Sequence, residues 1–319
     1  MVIPVLGRYR TLTAAIDRLE RQRVGQTFEL LVVSDAADED PDRTAATVRG
    51  RSFPARHLQA STPGAASARE LGWREAESHL ILFLDSDVLA SRVLLAEHLR
   101  WHTIHGEDEV GILGRVRWAR GITVTAFMRW IERGIQFAYH TIPGESAGWG
   151  HFYTANVSVK RAMLEQVGGF DAERFPFHYE DLDLAYRMSR EGFRLLYNRR
   201  ASAEHLHVVT LDQYRRRMAE IAPMERLFVE VHPEVAPYFH QRFVRLQVLP
   251  PARGRAARLV KVVPPWLPWV GSRAWRSADH YFGQQLAPDF LAAWDRSGKT
   301  SSEERRQPRN RRKTRAESG

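Results

Sequence analysis

The stretch Leu80-Ile81-Leu82-Phe83-Leu84-Asp85-Ser86-Asp87-Val88 runs five apolar residues into two carboxylates separated by one serine. A continuous apolar run of this length suits a strand buried on both faces of a sheet. The acids then fall where the strand ends. In open α/β sheets, ligands bind outside the carboxyl ends of the strands. If the strand persists, its period of two points Asp85 and Asp87 to the same side. Two carboxylates on one side suit a hard divalent cation that completes its shell with phosphate oxygens. Taken alone, the three residues are better read as a solvated Asp-Ser-Asp turn, because short motifs recur by chance.

Four further groups of residues could do chemistry. Ser34-Asp35 closes the apolar stretch Phe28–Val33. A carboxylate there can accept from the imide N–H of a uracil-type base, or cap the helix that follows. Gly64 lets backbone approach a phosphate closely, and Arg69 presents a planar fork for phosphate or base oxygens. A surface arginine is the commoner explanation of such a pair. Glu180 and Asp181 open a helical stretch, Tyr179–Glu191, where the helix dipole keeps a base ionised. Acids at a helix start are usually only dipole complements. Asp183 and Arg187, at i,i+4, pair on the helix surface, which leaves the chemical role to Asp181. In Glu204-His205-Leu206-His207, two histidines face one side of a strand, and one could complete a metal shell with Asp87. A lone histidine pair is more often structural, and zinc demands more nitrogen ligands than this.

The elements that must position these residues are legible from periodicity. Strands are expected at 2–6, 28–33, 55–60, 80–84, 110–118, 152–159, 193–197 and 201–208. Helices are expected at 9–23, 42–50, 65–77, 91–104, 122–137, 160–167, 179–191 and 210–230, with a loop over 138–151. Strand–helix alternation predicts an α/β fold, a Rossmann-like, mostly parallel central sheet with helices on both faces. Right-handed crossovers set the strand ends along one edge, so Asp35 and Asp87 share a crevice. Residues 233–294 are rich in Pro, Trp and Arg with weak periodicity.

Composition bounds the function classes. The 319 residues contain no cysteine, which excludes disulfides, thiolate metal sites and cysteine nucleophiles. No apolar run approaches the ~20 residues needed to span a bilayer, and no signal peptide is read at the N-terminus. The net charge of +9 is uneven: residues 299–319 hold eight Lys/Arg against three Asp/Glu. That tail is almost free of apolar groups and is expected to be disordered.

In their order along the chain, these motifs resemble the family 2 glycosyltransferases of GT-A fold over about residues 1–215. Ile3-Pro4-Val5 is similar to that family's opening strand, and Val32-Val33-Ser34-Asp35 to its base-binding strand end. Ala66–Gly72 resembles its Ala-Arg-Asn-x-Gly segment, with Glu70 in place of Asn. Asn156–Arg161 and Val167-Gly168-Gly169-Phe170-Asp171 resemble its acceptor-side segment. The resemblance implies a nucleotide-sugar site made by Pro4, Asp35, Gly64, Arg69, Asp85 and Ser86. Asp35 would contact the uracil, Arg69 the nucleotide, and Asp85 the ribose or sugar. It implies a Mg²⁺ or Mn²⁺ cofactor held by Asp87 and His205, with His207 the fallback. It makes Asp181 the general base, assisted by Glu180. The chain departs from the family at Ser34, where an acid is common, and lacks the Gln-x-x-Arg-Trp segment of processive synthases. The activity implied is an inverting single addition from a nucleotide-diphosphate sugar, UDP-linked by preference. The acceptor would be a hydroxyl-bearing glycan, lipid-linked acceptor or small molecule.

The expected organisation is a catalytic domain at 1–215, a helical or irregular extension at 216–298 and the basic tail at 299–319. Val260–Trp275 interleaves Trp266, Trp269 and Trp275 with Lys261, Arg273 and prolines. It is read as an extension wrapping the catalytic domain with Trp as core filler, ahead of a peripheral membrane contact through 250–298. The expected location is cytoplasmic, extending to the inner face of the membrane. The alternatives are a nucleotide-sugar-binding protein without turnover and a binder driven by its basic tail. No specific nucleic acid is expected as a partner.

Overall fold

In a computed structural model, which describes residues 1–263, 267 and 269–306, the chain forms two compact units. The first runs from Met1 to Val208 and the second starts at Val209. The arginine-rich helix expected to straddle position 215 therefore belongs wholly to the second unit.

The first unit opens with β1 (Val2–Val5), α1 (Tyr9–Leu19), β2 (Leu30–Ser34), α2 (Pro41–Val48), β3 (Ala55–Gln59), α3 (Ala65–Glu75) and β4 (Leu80–Leu84). It continues through β5 (Val88–Ala90), α4 (Leu94–Ile104), β6 (Val110–Trp118), α5 (Ala126–Ile131), β7 (Ser146–Ala147) and β8 (Asn156–Lys160). It closes with α6 (Arg161–Val167), α7 (Glu180–Arg190) and β9 (Arg194–His205). The nine strands form one sheet in the order β3-β2-β1-β4-β8-β6-β9-β5, with β7 also on β9. β3, β2, β1 and β4 pair in parallel, as do β6 and β9; β8, β5 and β7 run against them.

Alternation in the apolar strands explains why both faces are covered. Val2, Leu31, Val33, Ile81 and Phe83 face one core, with Trp73 of α3, Met163 of α6 and Leu184 of α7. Ile3, Val5, Leu30, Val32, Leu82 and Leu84 face the other, with Leu12 and Ile16 of α1 and Leu94 of α4. Period-two side chains thus send one unbroken apolar run into two cores.

Three expectations change. The strands expected at 193–197 and 201–208 are one strand, β9, whose pairing with β6 shifts register at Gly114/Arg115. The helix expected over 122–137 shortens to α5. Asn156 and Ser158, expected on the acceptor side, are buried against α4. There Asn156 Oδ1 lies 3.0 Å from His98 Nε2, and Ser158 Oγ lies 2.8 Å from both His98 Nδ1 and His102 Nε2. One proton arrangement satisfies all three contacts. His98 Nε2–H donates to Asn156, Ser158 O–H donates to His98 Nδ1, and His102 Nε2–H donates to Ser158. Burial keeps both imidazoles neutral, pushing their pKa values down to about 4 and about 3.

The second unit contains α8 (Leu211–Val231), α9 (Tyr238–Gln247), α10 (Gly254–Ala257) and α11 (Val270–Arg306). A capping box between Thr210 and Gln213 starts α8. The buried Glu225 carboxylate accepts the N–H groups of Phe239 and His240 at the start of α9. The weak periodicity of 233–294 thus conceals long helices. α11 also continues beyond residue 299, into the stretch expected to be disordered; 307–319 lie outside the described residues. Trp269 is exposed rather than core filler, and Trp266 lies outside the described residues.

Gly72 of α3 is packed so closely that an added Cβ would stand 2.4 Å from Val2 Cγ1. Val2 is a stiff, fully buried β-branched residue on β1. Gly72→Ala is expected to cost about 1–3 kcal/mol in chemical denaturation; an unchanged midpoint would show that β1 and α3 can separate freely.

Candidate active site

The carboxyl ends of β1, β2 and β4 bring together most of the expected residues. Pro4 lies on β1 opposite Val33, and the β1–β4 pairing is confined to Val2 and Phe83. Proline's missing N–H therefore falls where pairing has already ended. Beyond it, Gly7 and Arg8 both take left-handed backbone, with φ of 64° and 55°. Across the site, His178 and Tyr179 do the same before α7, with φ of 61° and 60°. Non-glycine residues held in this region are strained, and such strain clusters at functional sites.

Asp35 is buried and spends its carboxylate on the chain itself. It accepts from Ala37 N at 2.8 Å and from Gly64 N at 2.7 Å. Gly64 has φ 125°, and an added Cβ would sit 2.5 Å from the Pro176 carbonyl oxygen. The close approach that Gly64 permits is thus to Pro176, whose carbonyl also accepts from Ala66 N at 3.1 Å. This contact joins the start of α3 to the loop before α7.

β4 does not persist through the acidic pair. A turn follows Leu84, with Val88 N donating to Asp85 O at 3.1 Å, and the two carboxylates take different partners. Asp85 turns to Arg69, whose Nη2 donates to Oδ1 at 2.9 Å. The same guanidinium donates from Nη1 to Glu180 Oε1 at 2.9 Å. Arg69 is only 5% exposed, so both its terminal nitrogens serve acids of this chain. Burial opposes its charge, but Asp85, then Glu180, outweigh that and hold it firmly protonated. Asp181 is left as the third acid. Burial, then the Glu180 charge, pushes its pKa up to about 7 against the pull of Arg69. Asp181 nevertheless keeps partial solvent access. Asp183 pairs with Arg187 as expected, but it is buried rather than on the helix surface, and Arg187 also donates to the carbonyls of Val167 and Gly169.

Asp87 faces the other way. Its Oδ2 is bridged by Arg8 Nη1, and its Oδ1 stands 3.5 Å from His205 Nε2. The short strand β5 delivers this pair, since Val88 is in register with His205 and Leu206 N donates to Asp87 O at 2.8 Å. β9 ends at His205, so His207 lies beyond the strand, and His205 is the histidine set against Asp87. Trp118 and Phe137 hold the His205 ring edge-on at 5.4 and 6.3 Å, and its buried Nδ1 has no partner among the described residues. Among the described residues, no group of three or more His, Asp or Glu could hold a metal unaided. The donors present still fit Mg²⁺ or Mn²⁺, which take one or two protein ligands and fill the shell with phosphate and water. Adjacent ligands of an octahedral ion with bonds of about 2.1 Å sit about 3 Å apart, close to the Asp87–His205 spacing.

Sequence reasoning missed three residues. Arg8 stands just before the helix expected at 9–23, and only its left-handed backbone and its partner Asp87 set it apart. Asp38, inside the acidic run after β2, accepts from Tyr9 O–H, Ser34 O–H, Thr44 O–H and Gly7 N. Burial opposes its ionisation, but these donors, Tyr9 first, hold its pKa below the usual carboxylate range. Glu70 accepts from Trp73 Nε1 and Phe170 N at 2.6 and 2.7 Å, fastening α3 to the Gly-Gly-Phe-Asp segment.

The sequence model described as "Glycosyltransferase like family 2" matches residues 1–220. The chain belongs to this family. An uncharacterized glycosyltransferase, YfnE of Bacillus subtilis (strain 168), is 23% identical over 61% of this chain and 62% of its own length. The validoxylamine A glucosyltransferase of Streptomyces hygroscopicus subsp. jinggangensis (strain 5008) is 25% identical over 62% of this chain and 53% of its own length. The matched region thus spans less than two thirds of these relatives. Among solved structures, S. aureus TarS 1-349 matches with a TM-score of 0.53 at 15% identity, covering 94% of this chain and 90% of that one. The same fragment in complex with UDP gives 0.50 at 14%. At such identity the likeness concerns the fold, which is GT-A.

Arg69→Met is expected to leave Asp85 and Glu180 without their cation. The loss should be about 3–5 kcal/mol. Chemical denaturation measures it; a curve equal to wild type would mean the acids find other partners.

Proposed function

We propose that this chain is an inverting glycosyltransferase that moves a sugar from a nucleoside diphosphate, UDP by preference, to a hydroxyl acceptor. The observation that carries the reading is Asp181 with its pKa near 7, beside two acids already sharing the single guanidinium of Arg69. A base poised near the operating pH is what proton removal from a hydroxyl requires. The TarS likeness, with UDP in one of those structures, supports the choice of nucleotide.

Asp35, with lone pairs left beyond its two backbone donors, accepts from the imide of the base. Asp85, held by Arg69, orients the ribose or sugar. Asp87 and His205 would hold a Mg²⁺ or Mn²⁺, which would supply charge neutralisation for the leaving nucleotide. Arg8, exposed along much of its length, is placed to leave Asp87 and meet the same diphosphate. The acceptor oxygen forms a bond to the sugar C1 while the C1–O bond to the diphosphate breaks. The bonding pair leaves with the nucleotide, and the acceptor proton passes to Asp181. One displacement inverts the anomeric centre, and no sugar is attached to the enzyme.

Thermal-shift screening of UDP-, GDP- and dTDP-sugars with Mn²⁺ tests the donor assignment; a chain shifted by none of them contradicts the proposal. Asp181→Asn should abolish transfer while keeping the donor-induced shift. Because the ionised form is the base, activity is expected to fall as pH drops through about 7, the value to which Asp181 is pushed. In Glu180→Gln, removing the neighbouring charge moves that acid limb to lower pH. A limb that stays in place would assign the base elsewhere. Arg8→Ala is expected to lower kcat by about 10²-fold, the order seen when one donor to developing charge is removed. Steady-state kinetics at saturating Mn²⁺ check it, and an unchanged kcat would leave Arg8 a partner of Asp87 alone.

A further inference from the structure

The C-terminal unit carries a stretch with an uncommon charge balance. Between Glu234 and Asp279 the sequence holds eight Lys/Arg and no Asp or Glu. Within it, large apolar side chains point outward: Val248 is 81% exposed, Val262 73% and Trp269 81%, with Leu249, Leu259 and Val270 also exposed. Soluble surfaces scatter single apolar residues but rarely concentrate them along one stretch among cations.

This stretch is fastened in place. Gln284 of α11 holds the turn after α9 from both ends of its amide. Its Nε2 donates to the carbonyls of Leu246, Leu249 and Pro250 at 3.0–3.2 Å, and its Oε1 accepts from Ala252 N at 2.9 Å. Gly254 lies against Tyr281, where an added Cβ would meet the ring at 2.9 Å. Ala257 and Val260 are buried, while their neighbours Arg258, Leu259, Lys261 and Val262 are exposed. The chain therefore buries Leu246, Ala257 and Val260 and leaves Val248, Leu249, Leu259 and Val262 exposed beside the cations Arg258 and Lys261.

We propose that the exposed apolar and cationic residues within 244–262 and 269–273 form a docking surface for an anionic lipid bilayer. Trp269, Val262 and Val248 would enter the headgroup–acyl boundary, and the flanking cations would pair with lipid phosphates. The complementarity favours this occupant: an apolar patch alone would suit a second copy, and cations alone a nucleic acid, whereas a bilayer interface offers both chemistries at once. The inference rests on the C-terminal unit alone and does not depend on the proposed sugar transfer.

Flotation of the full chain with phosphatidylcholine vesicles, with and without phosphatidylglycerol, tests it. The chain is expected to float with the anionic vesicles and to be released by high salt. The double variant Val262→Asp, Trp269→Asp should bind about tenfold more weakly, and so should Arg255→Glu with Arg258→Glu. Both variants alter exposed side chains and should keep the circular dichroism spectrum and any donor-induced thermal shift of the wild type. Failure to float, equal flotation on neutral vesicles, or undiminished flotation of a folded variant overturns the proposal. So does a stable dimer in sedimentation that Trp269→Asp disperses, or capture of an oligonucleotide in preference to anionic vesicles.

Discussion

One guanidinium shared between two acids governs the chemistry of the first unit. Arg69 brings a single positive charge to Asp85 and Glu180, and Asp181, next to Glu180 in the chain, feels both acids. At an effective dielectric of about 20, unit charges about 4 Å apart interact by about 4 kcal/mol. Ionising all three acids would leave two negative charges uncompensated, so the last acid holds its proton to near neutrality. The same ion pairs tie α3, the end of β4 and the start of α7 together. The structural brace and the raised pKa of Asp181 are thus one arrangement, and a change made to Asp181 by way of Arg69 also loosens three elements.

The second cation is used differently. Arg8 meets Asp87 from a backbone conformation that non-glycine residues avoid, and is largely exposed where Arg69 is buried. Desolvating and doubly engaging a guanidinium fixes it; exposing it and engaging it once leaves it exchangeable. Asp38 explains how the strained turn is tolerated. It gathers the N–H of Gly7 and the hydroxyls of Tyr9, Ser34 and Thr44, so the turn is over-determined from two elements besides its own. Ser34, where an acid is common in the family, is a donor in this arrangement, and a carboxylate there would face Asp38.

The fold was legible in the sequence wherever side-chain periodicity alone decides an element. Leu80–Leu84 and Leu30–Val33 are apolar throughout because each face of the sheet meets helices, and Gly168-Gly169 stops α6 with left-handed backbone. The order of the acids carried the family resemblance. What stayed hidden depends on pairing across long separations. Asp85 and Asp87 cannot be told apart without knowing that β4 ends at Leu84 and that β5 then pairs with β9. Arg69 looks like a ligand contact until Glu180, 111 residues on, is seen beside it. Asn156 and Ser158 look accessible until α4 brings His98 and His102 onto them. In the second unit α8 was expected over 210–230 despite Pro223, whereas α9 and α11, the latter with Pro288 in its interior, lie in the Pro-, Trp- and Arg-rich stretch where periodicity is weak.

The two units break opposite rules of soluble proteins. The first buries charge: Arg69, Glu180 and Asp87 are all nearly inaccessible. The second exposes apolar surface while keeping Ala257, Val260 and Phe282 inside. Each violation opposes stability locally, by desolvating ions in one case and hydrating hydrocarbon in the other. Such local costs are expected where a chain has a task, and here they fall at the strand ends of one unit and on the acid-free stretch of the other. Both are sustained by cheap, well-made supports, the Arg69 bridge and the Gln284 clamp, so the residues that perform a task and those that hold them are separable.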